Sequence, residues 1–272
     1  MKQFTIYGNP VEHSKSPQMH NAGFKLLNID ATYSKTYLED GNTIKDEFLK
    51  HNISGANITV PHKEFAFRNA DIVDEFASQI GAVNTYINDN GKVKAYNTDA
   101  PGFYRAIENF GEVKNVLLLG AGGTAKAIAV ILRSKNIKVT ILNRSANSRD
   151  FFINLGCRFY DHDNLRLFFS GGGVEFDYDL VVNSTSAGLK DDNYPAPLEL
   201  LKPALKNASF AFDCIYGKQT PFLKIADEYN LKYKDGEDML LYQGVLAFEY
   251  FTNTKATPKL IQTMRDGLKA NS

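Results

Sequence analysis

Short apolar segments that alternate with helix-like periodicity predict an α/β fold, and three observations support that prediction. Segments such as Val116-Leu117-Leu118-Leu119 carry no polar residue, as strands of a parallel sheet covered on both faces do. Helix patterns separate these segments, which is the order of βαβ units. At about 150 residues per domain, a chain of 272 residues suggests two domains.

Residues 4–7 read as the first strand. Ser16 and Pro17 then supply an N-cap and a proline at the first helical position. Met19, Gly23 and Leu26, with Phe24 and Leu27, form an apolar stripe at helical spacing. Residues 32–38, rich in Tyr and Thr, and residues 56–60 read as strands, with Pro61 opening the next helix. Asp89-Asn90-Gly91 joins strands at 83–87 and 92–96 as a hairpin, because Asn-Gly tolerates positive φ. From Val113 the pattern tightens. An apolar strand at 116–119 leads to a helix from Thr124 to about Arg133, and further strands follow at 138–142, 179–182 and 210–215. Two helices, 239–251 and 258–268, end the chain. The expected organisation is an N-terminal α/β domain over 1–102, a doubly wound nucleotide domain over 103–236, and a helical return over 237–272.

Charge and composition remove several function classes. The 31 basic and 31 acidic side chains cancel, which argues against nucleic acid or an anionic membrane as the main partner. The longest apolar run, 127–132, is far short of the roughly 20 residues of a spanning helix, so the chain is expected to be cytoplasmic. Two cysteines, Cys157 and Cys214, cannot build a disulfide framework or a four-thiolate metal site. No H-E-x-x-H, C-x-x-C or G-x-S-x-G occurs, and no metal is expected. Gly217-Lys218-Gln219-Thr220 imitates the end of a P-loop, but Phe212 stands where its first glycine belongs.

One motif does carry chemistry. Gly120-Ala121-Gly122-Gly123-Thr124-Ala125 follows an apolar strand and opens a helix, the context a dinucleotide fingerprint requires. Its glycines let backbone N–H groups approach a pyrophosphate at the helix N-terminus; a glycine-rich turn without ligand is the bland alternative. An NAD site places Asp or Glu near the end of the next strand to hold the ribose 2′-hydroxyl. Here Asn143-Arg144-Ser145 stands there, with Arg149 further on. A guanidinium in place of an acid suits the 2′-phosphate of NADP, against the alternative of a solvated surface arginine.

The N-terminal half gathers short polar side chains at strand ends. Ser14 and Ser16 stand at a helix start, where capping by Ser16 alone is the simpler account. Asn57 and Thr59 share one face of a strand with Lys63 just beyond it, and Asn84 and Asn97-Thr98-Asp99 repeat the theme. Together they would suit a polyhydroxylated acid, with Lys63 and Asp99 for proton transfer.

These segments resemble the bacterial shikimate dehydrogenases over essentially the whole chain. The resemblance rests on His13-Ser14-Lys15-Ser16-Pro17 with His20-Asn21, Asn57-Ile58-Thr59-Val60-Pro61-His62-Lys63, Gly81-Ala82-Val83-Asn84-Thr85 and Asn97-Thr98-Asp99. It continues through the glycine motif, Asn143-Arg144-Ser145, Asn183-Ser184-Thr185-Ser186-Ala187-Gly188, Asp213 to Tyr216 with Thr220-Pro221-Phe222-Leu223, and Asp235-Gly236 through Gln243-Gly244. It implies a substrate domain completed by the C-terminal helices, a Rossmann-type NADP-binding domain, and an active site in the cleft between them. The implied reaction is reversible, NADPH-dependent reduction of 3-dehydroshikimate to shikimate, in aromatic amino-acid biosynthesis, by a monomer or homodimer. Ser14 and Ser16 would bind the substrate carboxylate. Asn57, Thr59, Asn84, Tyr216 and Gln243 would surround the ring hydroxyls and carboxylate, and Lys63 and Asp99 would be the catalytic pair. Thr185, Ile215 and Gly236 fall in segments the family uses near the nicotinamide. Ala95 and Ala100 replace customary glycines, and Gly217-Lys218 replaces a customary Asn-Pro, changes of loop shape rather than chemistry. The rival readings are a quinate/shikimate dehydrogenase using NAD, which Arg144 opposes, and a non-catalytic sensing homologue, which the retained Lys63 and Asp99 oppose.

Overall fold

The computed structural model describes residues 1–161 and 177–270. The chain divides into two compact units, Met1–Gly102 with the chain from Leu240 onward, and Phe103–Met239.

The first unit is built on a six-stranded mixed sheet. Strand β1 (Lys2–Gly8) pairs in parallel with β2 (Ala31–Tyr37) on one side and β3 (Gly55–Ile58) on the other. Short β4 (Ile72–Val73) pairs with one arm of the hairpin β5 (Thr85–Asp89) and β6 (Lys92–Tyr96), whose other arm runs antiparallel to β3. The order is therefore β2-β1-β3-β5-β6-β4. Asn90 and Gly91 take φ of 53° and 86°, as the two-residue turn demands. Helices α1 (Ser16–Leu26), α2 (Ile44–Lys50), α3 (Lys63–Asn69) and α4 (Glu75–Ile80) connect the strands. The sheet thus delivers the C-terminal end of β3 and the start of β5 side by side, with Asn57 paired to Thr85.

Helix α5 (Asp99–Ile107) leads into the second unit, a six-stranded sheet that is parallel throughout. Its strands are β7 (Asn115–Leu119), β8 (Lys138–Leu142), β9 (Arg158–Tyr160), β10 (Leu180–Asn183), β11 (Phe210–Asp213) and β12 (Lys232–Lys234). They lie in the order β12-β11-β10-β7-β8-β9, so the winding reverses between β7 and β10. Doubly wound sheets bind ligands at that reversal, beyond the carboxyl ends of the strands. Helices α6 (Gly123–Ser134), α7 (Arg149–Asn154), α8 (Leu198–Asn207) and α9 (Pro221–Glu228) belong to this unit. Leu117, Leu119, Val181, Leu201 and Phe222 are buried in its core.

Helices α10 (Glu237–Thr252) and α11 (Pro258–Lys269) bring the chain back to the first unit. Leu260, Met264 and Leu268 recur every fourth residue on α11 and are buried. They join Phe4, Phe24 and Phe248 in one core. The second unit runs to Met239, and Asp238 in the first turn of α10 meets Lys234 Nζ at 2.7 Å.

Two local expectations fail for physical reasons. Ser16 does not cap α1: the capping position is Lys15 without a side-chain bond, and Ser14 Oγ accepts from Ser16 N at 3.3 Å. Pro61 does not open α3 either, because His62 N bonds to Thr59 O at 3.0 Å in a turn, and the helix begins at Lys63.

Candidate active site

In the first unit, Lys63 is the first residue of α3 and Asp99 the first residue of α5. Lys63 Nζ lies 2.6 Å from Asp99 Oδ2. The other carboxylate oxygen accepts from Asn84 Nδ2 at 3.0 Å, so both edges of the acid are held. Asn84 is itself immobilised: its Oδ1 accepts from Thr98 N at 2.8 Å, and its Nδ2 also reaches Thr98 Oγ1 at 2.9 Å. Asn97 Oδ1 accepts from Asp99 N at 3.1 Å and fixes the start of α5. Asn57 lies behind this pair, donating to Asn84 O and to Thr85 Oγ1, each at 3.2 Å. Gln243, from α10, brings Oε1 to 3.5 Å from Asn84 Nδ2, and its own amide is turned by a bond to Leu240 O. Asn57, Asn84, Thr85, Thr98 and Gln243 are all buried. Buried amides and hydroxyls that satisfy one another form a rigid cradle, because leaving any one unpaired costs its full desolvation.

Sequence reasoning missed two members of this cradle. Tyr33 on β2 donates its hydroxyl to Asn57 Oδ1 at 2.7 Å, which sets which way the Asn57 amide faces. Burial pushes the Tyr33 phenol well above its ordinary range, and Asn57 and Ser16 act against that shift. His20 stacks on Tyr33 with ring centroids 4.4 Å apart and is fully buried beside Asn57. Burial pushes its pKa down to about 3. A tyrosine between Thr32 and Ser34 in a strand is the signal that could have flagged Tyr33, since a phenol turned into a core needs an acceptor. Ser14 stays half-buried at the head of α1, and the half-buried Thr59 presents its methyl toward Gly8.

The second unit carries the glycine motif at the reversal of its sheet. Gly120 takes a φ of 104°, and a Cβ there would meet Ser184 Oγ at 2.9 Å and Thr185 Cγ2 at 3.0 Å, so only glycine fits. Gly122 and Gly123 are exposed, with open space around them, at the N-terminus of α6, while Ala125 is buried. A cavity of about 610 Å³ extends from Gly120 past Asn143 and Arg144 on one side, and past Thr185, Asn193 and Tyr194 on the other. Arg144 and Arg149 are exposed, and Asn143 Nδ2 bonds to Ser145 O at 2.8 Å, which shapes the turn after β8. These features fit a dinucleotide phosphate: a helix N-terminus, glycines that admit a close approach, and the exposed guanidiniums of Arg144 and Arg149. Ile215 is buried, Gly236 N bonds to Ile215 O at 3.0 Å, and Tyr216 is 37% exposed in the same unit.

Residues 6–86 match the shikimate dehydrogenase substrate binding domain, and residues 236–265 the shikimate 5'-dehydrogenase C-terminal domain. A protein of Helicobacter hepaticus named shikimate dehydrogenase (NADP(+)) is 43% identical over 93% of this chain and 91% of its own. The chain belongs to the shikimate dehydrogenase family. Among solved members of the family, the enzyme of Aquifex aeolicus superposes with a TM-score of 0.86 at 29% identity, covering 99% of this chain and 98% of that one. The Thermus thermophilus enzyme, solved with NADP(H) and shikimate, gives a TM-score of 0.83 at 30% identity, covering 98% and 100%. The two-unit α/β architecture with a Rossmann-type second unit is thus the family fold in this chain.

Proposed function

We propose that the protein catalyses the reversible, NADPH-dependent reduction of 3-dehydroshikimate to shikimate. The observation that carries the proposal is the 2.6 Å contact between Lys63 Nζ and Asp99 Oδ2, set among buried amides that hold the acid from its other edge. A cation and an acid locked together at a partly open site can move a proton to or from a ketone oxygen. When bound, the reduced nicotinamide supplies the hydride for the ketone carbon. Lys63 holds the proton for the oxygen, Asp99 keeps Lys63 aimed, and Asn84 keeps Asp99 aimed. Asn57, Thr59, Asn84, Tyr216 and Gln243 are assigned to the ring hydroxyls and carboxylate, and Ser14 and Ser16 to the carboxylate.

For the cofactor, the segment from Gly120 to Ala125 is assigned to the pyrophosphate, and Asn143, Arg144, Ser145 and Arg149 to the 2′-phosphate. Thr185, Ile215 and Gly236 are assigned to the nicotinamide. Among the described residues no helix is long and apolar enough to cross a membrane, and the net charge is zero. The zero net charge supports action on small molecules without a nucleic-acid partner, and the proposal includes a cytoplasmic monomer or homodimer as the family resemblance implies. Initial rates with shikimate or quinate against NADP or NAD test the reading. Shikimate with NADP should be the fastest combination. Faster turnover of quinate with NAD, or no turnover with any of the four, would overturn it.

A further inference from the structure

Asp213 is a buried acid that takes no part in the proton path. It ends β11, where Phe210, Ala211 and Phe212 are apolar, and its relative exposure is 0%. An acid carried into a core at the end of an apolar strand requires a reason, because an unpaired buried carboxylate is costly. Its bonds show where it acts. Asp213 Oδ1 accepts from Ile215 N at 3.0 Å and from Asn183 Nδ2 at 3.1 Å. Asp213 Oδ2 accepts from Thr220 Oγ1 at 2.6 Å, and Thr220 in turn caps α9.

Each of the first two bonds leads onward. Asn183 Oδ1 accepts from Thr185 N at 3.0 Å and from Thr185 Oγ1 at 2.8 Å. Ile215 O accepts from Gly236 N at 3.0 Å. A Cβ on Gly236 would come within 2.3 Å of Cys214 O, so the two backbone segments touch there with no slack. Thr185, Ile215 and Gly236 are therefore all suspended from one carboxylate, directly or through one intermediary.

We infer that Asp213 is a positioning residue that sets the three groups assigned to the nicotinamide, leaving the adenosine end of the cofactor site independent. The inference rests on the proposed cofactor reading. The acceptors are what matter: Asp213 Oδ1 binds the Ile215 and Asn183 arms, while Oδ2 binds only the hydroxyl of Thr220. An asparagine can keep its oxygen on the first side and offer its amide to Thr220 Oγ1 on the second. Leucine keeps the bulk and offers neither oxygen. Misplacement by about 1 Å far from the chemistry can cost roughly 10²-fold in rate, so loosening these arms should be felt in turnover.

The test compares Asp213→Asn and Asp213→Leu with the parent in two measurements, kcat for shikimate oxidation and the Kd of adenosine 2′,5′-bisphosphate. That probe carries the 2′-phosphate and lacks the nicotinamide. Asp213→Leu should lower kcat at least about tenfold and leave the probe's Kd within about threefold, whereas Asp213→Asn should restore kcat to within about threefold of the parent. Asn183→Ala cuts only the arm to Thr185 and should show the same split, which keeps the test available if Asp213→Leu does not fold. Loss of probe binding in step with kcat in the folded variants, full kcat in Asp213→Leu, or an Asp213→Asn no better than Asp213→Leu would each overturn the inference. A parent protein that binds neither the probe nor NADP would instead refute the cofactor reading beneath it.

Discussion

Lys63→Met removes an ammonium and keeps the length of the side chain. In the folded chain the ammonium lies 2.6 Å from Asp99 Oδ2, and the two side chains are 26% and 15% exposed. The variant leaves Asp99 Oδ1 bonded to Asn84 but strips Oδ2 of its cation. For an ion pair still reached by solvent, that loss costs about 0.2–1 kcal/mol of stability. In a chain of this size each kcal/mol moves Tm by about 2–4 °C, so the variant should melt within a few degrees of the parent. Catalysis should lose far more. A positioned group that gives the proton in reduction and takes it in oxidation contributes roughly 10²–10⁴-fold, which is about 2.7–5.4 kcal/mol of barrier. The expected result is a kcat for shikimate oxidation lowered by at least about 100-fold, with a smaller change in shikimate KM. Steady-state rates and a thermal melt on the same preparation give all three quantities. A kcat within about threefold of the parent, with a raised KM, would refute proton transfer by Lys63 and make it a binding residue. A collapse of Tm would show instead that the pair holds the first unit together.

Arg144→Ala should weaken NADP by about 10- to 150-fold through loss of a charge-assisted bond, and leave NAD nearly unchanged. Isothermal titration of both cofactors checks this, and equal losses would show that Arg144 supports the turn after β8 rather than a phosphate. Ser14→Ala should raise the shikimate KM by about 10- to 150-fold with NADP affinity unmoved; an unchanged KM would mean that the Ser14 hydroxyl serves only the backbone of Ser16. His20 gives the pH dependence. Its pKa falls from 6.5 to about 3 on burial, so the unfolded chain binds the extra proton between those values. Stability from this group is full above pH 6.5 and is lost as pH falls toward 3, by up to about 1.4 kcal/mol per pH unit. His20→Phe should flatten that slope in urea denaturations across the window, and an unchanged slope would assign the acid sensitivity to other groups.

The legible parts of the chain were those whose pattern is local. β7, the glycine turn and α6 could be read because an apolar run, a glycine that must adopt positive φ and a helical stripe follow one another within twenty residues or so. The hairpin at Asn90-Gly91 was legible for the same reason. β4, β9 and β12 were not, since strands of two or three residues carry no period and exist by pairing with β6, β8 and β11. The site divides along the same line. Lys63, Asp99, Asn57 and Asn84 stand out as polar residues at strand and helix ends. Which of them touches solvent and which supports a neighbour is set by residues distant in sequence: Tyr33 for Asn57 and Thr98 for Asn84.

Ser16 shows how a local rule loses to a distant contact. Serine before proline at a helix start favours a cap, yet the helix already begins at Ser16, whose buried hydroxyl faces the Tyr33 phenol, and Ser14 accepts from the Ser16 N–H. The amide of Asn57 illustrates the converse. Its neighbours in sequence say only that it lies in a strand, whereas Tyr33, Asn84 and Thr85 together occupy its oxygen and its amide nitrogen. An amide so occupied cannot turn without leaving a buried group unpaired, at about 1–3 kcal/mol for each. The face that Asn57 presents is therefore decided by the sheet order that brings β2 and β5 to either side of the β1–β3 pair, a property of the fold and not of any segment.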